Sequence, residues 1–224
     1  MDCSGYLCSK FNDMSTRIPT EVYAEMTPNP ATMKFVTNRM LIEGGQQVEF
    51  TNQEQCKEAS PLAAELFNFP FVKAVFISGN FVAVAKDDTL GWEMIQQQLR
   101  DYVREWLVEN EIAVAFVPEK LQPSAVFEES DESEDRPQSI DYSGMVPTDF
   151  DAEIRNLLDE FVRPAVEQDG GAIDFKAFHE GKVYVQLRGA CSGCPSSMQT
   201  LKGGIEGLLR SKLDVVQEVV AEEM

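Results

Sequence analysis

Between Pro118 and Pro147 the chain reads PEKLQPSAVFEESDESEDRPQSIDYSGMVP, with four prolines and the acidic run Glu128, Glu129, Asp131, Glu132, Glu134 and Asp135. Like charges so close together repel, and each proline removes a backbone donor, so an extended, solvated tether is expected here. With that tether inside its 224 residues, the chain cannot build one continuous core. It is expected to fold as two small α+β domains, residues 24–117 and 148–224, joined by the acidic, proline-containing linker 118–147. Residues 1–23 are expected to be a disordered extension.

The 38 acidic residues against 19 basic ones give a formal charge of −19. Affinity for a phosphate backbone comes from Lys and Arg, so no nucleic-acid partner is expected. No run approaches the ~20 apolar residues that cross a bilayer, and no membrane partner is expected either. The five cysteines, Cys3, Cys8, Cys56, Cys191 and Cys194, are too few and odd in number for a secreted disulfide framework. The first residues carry Asp2 and Asp13 and show neither a basic, apolar leader nor an acid-poor transit segment. The sequence therefore predicts a protein of the reducing cytoplasm.

In the first domain, Met33–Val36 and Gln47–Phe50 read as strands, and Ser60-Pro61 opens a short helix through Leu66 and Phe67 with serine as its cap. The apolar runs Phe71–Ile77 and Phe81–Ala85 flank Ser78-Gly79-Asn80, a tight-hairpin signature. Asp87 and Asp88 are read as caps of a longer helix whose stripe is Trp92, Ile95, Leu99, Val103, Trp106 and Leu107. Both tryptophans are expected to fill the core. Ile112–Val117 is read as a closing strand, and Cys56, without a neighbouring thiol, as incidental.

The second domain is expected to run helix, strand, strand, helix, strand. Thr148 and Asp151 form an approximate capping box, and apolar residues from Phe150 to Val166 recur at helical spacing up to Asp169-Gly170-Gly171. Alternation over Ile173–Ala177 and Val183–Leu187 gives a hairpin turned at His179-Glu180-Gly181, which leaves the lone histidine without neighbouring ligands. A helix through Met198, Leu201, Ile205 and Leu209 and a strand over Val215–Val220 complete the order.

Cys191 and Cys194 lie in the Arg188–Ser197 segment, RGACSGCPSS, ahead of that last helix, with Pro195 suited to its first position. A helix N-terminus favours anions, so both thiols are expected to ionise more easily than free cysteine, and Gly189 and Gly193 to bring backbone donors near the sulfurs. Two cysteines at this spacing fit a dithiol redox pair, half a zinc site, a cluster site or a buried core. Zinc is disfavoured by the shortage of ligands. A thioredoxin-like pair would follow a strand in a strand–helix–strand unit, and an antiparallel hairpin precedes this one. An iron–sulfur cluster takes four thiolates, so two per chain suffice only if a second chain or an outside thiol completes the set.

Two stretches carry a family resemblance. VRPAVEQDGGAIDF, GKVYVQLRGACSGCPSSMQTLKGGIEGLL and DVVQEVV, within Val162–Val220, resemble the C-terminal domain of the NifU family. MTPNPATMKFVTNR, EASPLAAELFNFPFVKAVFISGNFVAVAK and the tryptophan helix resemble the N-terminal domain of the Nfu proteins. The resemblance implies a non-enzymatic iron–sulfur cluster scaffold or carrier. It would hold a [4Fe-4S] cluster, or in some members a [2Fe-2S] one, between the CxxC motifs of two subunits. Carried over by position, Cys191 and Cys194 would be the cofactor and metal ligands. The implied partners are a second copy in the loaded form, an upstream assembly machinery and apo iron–sulfur recipients. A dithiol–disulfide redox protein using the same pair is the alternative reading. An adaptor with structural cysteines is the third.

Overall fold

The computed structural model describes residues 19–118, 148–192 and 195–223. The expected extension up to residue 18, nearly all of the expected tether and Cys194 lie outside the described residues.

The first unit is a five-stranded antiparallel sheet with helices against one face. Its strands are β1 (Val22–Met26), β2 (Thr32–Thr37), β3 (Gln47–Phe50), β4 (Val72–Ser78) and β5 (Phe81–Lys86), in the order β1-β2-β5-β4-β3. The β4–β5 hairpin turns at Gly79-Asn80, with Ser78 facing Phe81, as the sequence predicts. The first strand begins at Val22, ahead of the expected boundary at residue 24, and pairs with β2 from Val22↔Thr37 to Met26↔Met33.

Two short helices lie between β3 and β4, and a long one follows β5. The short α1 (Gln53–Cys56) was not foreseen in the sequence, and α2 (Pro61–Leu66) starts where Ser60 Oγ accepts the Ala63 N–H. The long α3 (Trp92–Glu109) buries Ile95, Leu99, Val103 and Leu107 against the sheet, while Trp92 and Trp106 flank that stripe half-buried. Asp87 does not cap α3, contrary to expectation. Gly91 holds the cap position, and the Asp87 carboxylate turns back to the Thr89 N–H and hydroxyl. Asp and Asn satisfy such local turns as readily as helix ends. Nor is Ile112–Val117 a strand. Ala115 donates to Ala59 O at 2.8 Å and Ser60 Oγ donates to Ala113 O at 2.7 Å, so the segment is tied to the α2 entry and not to a sheet edge.

The second unit begins with α4 (Phe150–Leu157), continues through a π-helical turn (Leu158–Val162) and ends in α5 (Arg163–Gln168). The widened turn lies just ahead of Pro164, which lacks the N–H that would close a regular α turn. The strands β6 (Gly171–His179) and β7 (Lys182–Gly189) form the expected hairpin, followed by α6 (Pro195–Lys212) and β8 (Glu218–Glu223). The last strand lies three residues beyond its expected start and runs parallel to β7, so the sheet order is β6-β7-β8 and β7-α6-β8 is a strand–helix–strand unit. The argument against a thioredoxin-like pair from the preceding hairpin therefore fails on topology. A parallel neighbour requires a crossover helix, and the sequence pattern did not distinguish parallel from antiparallel pairing. The second core packs Ile154, Leu158, Val166, Ile173, Val185 and Leu209 between the helices and this sheet.

Candidate functional site

The β7–α6 connection carries the candidate site, and its conformation follows from a few side chains. Arg188, the last side chain of β7, is 1% exposed and pairs with Asp174 on β6; its Nε has no hydrogen-bond partner among the described residues. Gly189 has φ +66°, and a Cβ there would lie 2.8 Å from Gly170 O and 2.9 Å from the Phe76 ring. Only glycine fits. The Gly189 carbonyl then accepts the Ser192 N–H at 3.1 Å and the Ser192 hydroxyl at 2.9 Å, closing a turn around Cys191. The Gly189 N–H donates to Glu49 Oε2 at 3.2 Å and not to a sulfur.

Cys191 is 6% exposed and belongs to the second core. Its Sγ lies over Gly171, where a Cβ would come within 2.5 Å of it. Glycine at 171 is thus the seat of the thiol, a role the sequence reading assigned only to a helix stop. Burial pushes the Cys191 thiol up to about 12, and the nearby Asp169 carboxylate pushes in the same direction. This reverses the expectation of an easily ionised sulfur. Desolvation penalises the anion more than the nearby helix start favours it. Beside the thiol opens an apolar cleft of about 510 Å³, walled by Phe161, Ala165, Leu201 and Leu208 of the second unit and by Pro28 of the first.

The first unit reaches the thiol loop from the far face of its sheet. Asn29 Nδ2 donates to Ser192 O at 3.1 Å, and Lys34 Nζ donates to the Glu167 and Gln168 carbonyls at 3.1 and 3.0 Å. Val36, Phe76, Phe81 and Ala83 form a small apolar cluster with Ala172 of β6. Burial raises the Glu49 carboxyl above the ordinary carboxylate value, against the Gly189 N–H and the Arg188 charge that lower it. None of Asn29, Lys34 and Glu49 was singled out in the sequence. Lys34 and Glu49 lie on strands, where polar residues read as solvent-facing, and Asn29 in the β1–β2 turn; only the tertiary contact shows their role.

The structure separates the remaining candidates from the loop. His179 lies at the opposite end of the hairpin from Gly171, eight residues or roughly 26 Å along a strand at about 3.3 Å per residue. Cys56 is fully buried in the first core, its thiol donating to Gln53 O at 3.2 Å, and burial raises it to about 11. Cys194 and the Ser196 and Ser197 side chains, also expected near the site, lie outside the described residues.

Two α+β units, one carrying a cysteine turn at the start of a crossover helix, define a two-domain cysteine-loop protein. The comparisons specify which. The family model for the scaffold protein Nfu/NifU N-terminal domain matches residues 22–110, and that for the NifU-like domain matches residues 154–220. NifU-like protein 4, mitochondrial, of Arabidopsis thaliana is 31% identical over 222 residues, covering 98% of this chain and 72% of that protein. The human NFU1 iron-sulfur cluster scaffold homolog, mitochondrial, is 28% identical, covering 90% of this chain and 73% of its own. For the Drosophila virilis homolog of the same name the identity is 28%, with 88% of this chain matched but only 60% of the fly protein spanned. The chain belongs to the NifU/Nfu family.

These relatives are mitochondrial by name, which overturns the expectation of a cytoplasmic protein. Sparse thiols and the lack of a long apolar run suit any reducing compartment, so they never distinguished one from another.

Proposed function

We propose that this chain is an iron–sulfur cluster scaffold and carrier. Cys191 and Cys194 of two chains hold a [4Fe-4S] cluster, or a [2Fe-2S] one, between them and release it to apo recipients after loading by an upstream assembly machinery. The observation that carries the reading is the placement of Cys191 in a glycine-flanked turn at the crossover helix of the matched NifU-like domain. The turn carries two cysteines and a four-thiolate cluster takes four, so the pair of a second chain would complete the set. The names of the relatives, which are iron–sulfur cluster scaffolds, point the same way. Anaerobic reconstitution with iron and sulfide is expected to give a coloured dimer with about four irons, as a cubane on four thiolates requires. Full iron uptake by Cys191→Ser would refute the ligand assignment.

Dithiol exchange needs an exposed thiol with a depressed pKa. The strand–helix–strand placement of the pair suits that alternative, while the burial of Cys191 runs against rapid exchange. The adaptor reading, with structural cysteines, also has an observation behind it, since Cys191 packs within the second core. A thermal melt of the Cys191→Ser/Cys194→Ser chain separates the two. A scaffold keeps its fold and loses iron, whereas a structural pair loses the fold of the second unit.

A further inference from the structure

The first sheet has two buried faces. Met33, Phe35, Val48, Val75, Val82 and Val84 enter the core under the helices. The alternate residues Val36, Phe76, Phe81 and Ala83 form an apolar patch on the other side. An antiparallel sheet with one face in water carries polar side chains at such positions, so this face is built to be covered. What covers it is the same chain's second unit, through Ala172 and through Gly189, where a Cβ would lie 2.9 Å from the Phe76 ring. Around the patch, Asn29, Lys34 and Glu49 bind backbone atoms on both sides of Cys191 and at the α5 end beneath it. Lys34 is 8% exposed and Glu49 is 6% exposed, so both polar groups are committed to this contact.

We propose that the N-terminal unit is an intramolecular cap on the thiol loop, and that the capped form keeps Cys191 from a second chain. The second clause rests on the shared-cluster reading above; the first does not. A ligand sulfur must face outward to a metal held jointly with another molecule. That sulfur turns inward over Gly171 of its own unit, and what the first unit adds is to pin the turn in that state, at Gly189 by Glu49 and at Ser192 by Asn29. Loading therefore requires the cap to lift, and lifting exposes an apolar face that favours closure once the cluster has left.

The test is pulse alkylation of the metal-free full chain with iodoacetamide, read by peptide mass spectrometry at Cys191 and at Cys56. Cys56 reports on the fold of the cap itself, because it is buried in that unit's own core. The double variant Asn29→Ala/Lys34→Ala is expected to label at Cys191 about tenfold faster, the scale of losing a few polar contacts that hold a closed state. Cys56 is expected to keep its wild-type rate. Glu49→Lys, which sets a like charge against Arg188, is expected to behave the same way. Unchanged Cys191 labelling in both variants overturns the cap, as does a Cys191 rate that rises only in step with Cys56. Iron uptake then separates the two clauses. Faster labelling with no faster loading removes the exclusion of the second chain, while failure of every form to load iron refutes the scaffold reading and leaves the cap to the labelling result.

Discussion

At the scale of single residues, Gly171 and Glu49 say most about how the thiol is held. Replacing Gly171 with alanine puts a methyl group 2.5 Å from Cys191 Sγ and 2.8 Å from the backbone oxygen of Arg188, so the thiol or the strand must shift. Urea denaturation of Gly171→Ala is expected to show a loss of about 1–3 kcal/mol, the usual cost of overpacking, with faster alkylation of Cys191. Glu49 carries a pH signature. Its folded carboxyl binds a proton more tightly than the unfolded one, so its contribution to stability is complete below the ordinary carboxylate value of 4.5 and is lost as pH rises through the raised folded value. Relative to Glu49→Gln, the wild-type chain is expected to lose stability on going from pH 4.5 towards neutrality, as denaturant midpoints across that range would show. The position of Cys191 was legible in the sequence from Pro195 and the glycines. Its protonation was not, because the helix start is a local feature whereas burial is set by Gly171, Val166 and Ile205 from other parts of the chain.

Secondary structure was read most accurately where a local signal and a tertiary demand agreed. Ser60-Pro61, Gly79-Asn80 and the stripe on α3 each did what their residues favour. Leu99 is fully buried in that stripe, so Leu99→Ala is expected to cost about 2–5 kcal/mol in a thermal or urea melt of the first unit. Asp87→Ala, by contrast, is expected to leave helix content by circular dichroism unchanged, since its carboxylate serves the Thr89 turn and not the helix. Misreadings came where partners lie far off in sequence: Ile112–Val117 found Ala59 in place of a strand, and β8 chose a parallel partner across α6. One signal was present and went unread. Ala74–Ile77 and Phe81–Ala85 are unbroken apolar runs, whereas a sheet with one wet face alternates. Their continuity is the mark of the second covered face.

Across the whole molecule, the contact between the two units decides how much of the thiol loop a partner meets. Val36 lies on the patch beside Ala172 and away from the first core, so Val36→Asp is expected to separate the units without unfolding either. Small-angle scattering should then give a larger radius of gyration at unchanged mass, with Cys56 still protected from alkylation. The order of the units along the chain also gives their contact a direction in time. Residues 22–117 leave the ribosome before Cys191 does, and domains tend to fold in the order in which they are made. A finished β platform is therefore waiting when the nascent cysteine turn emerges, and the turn is sheltered from stray oxidants and metals from the moment it forms.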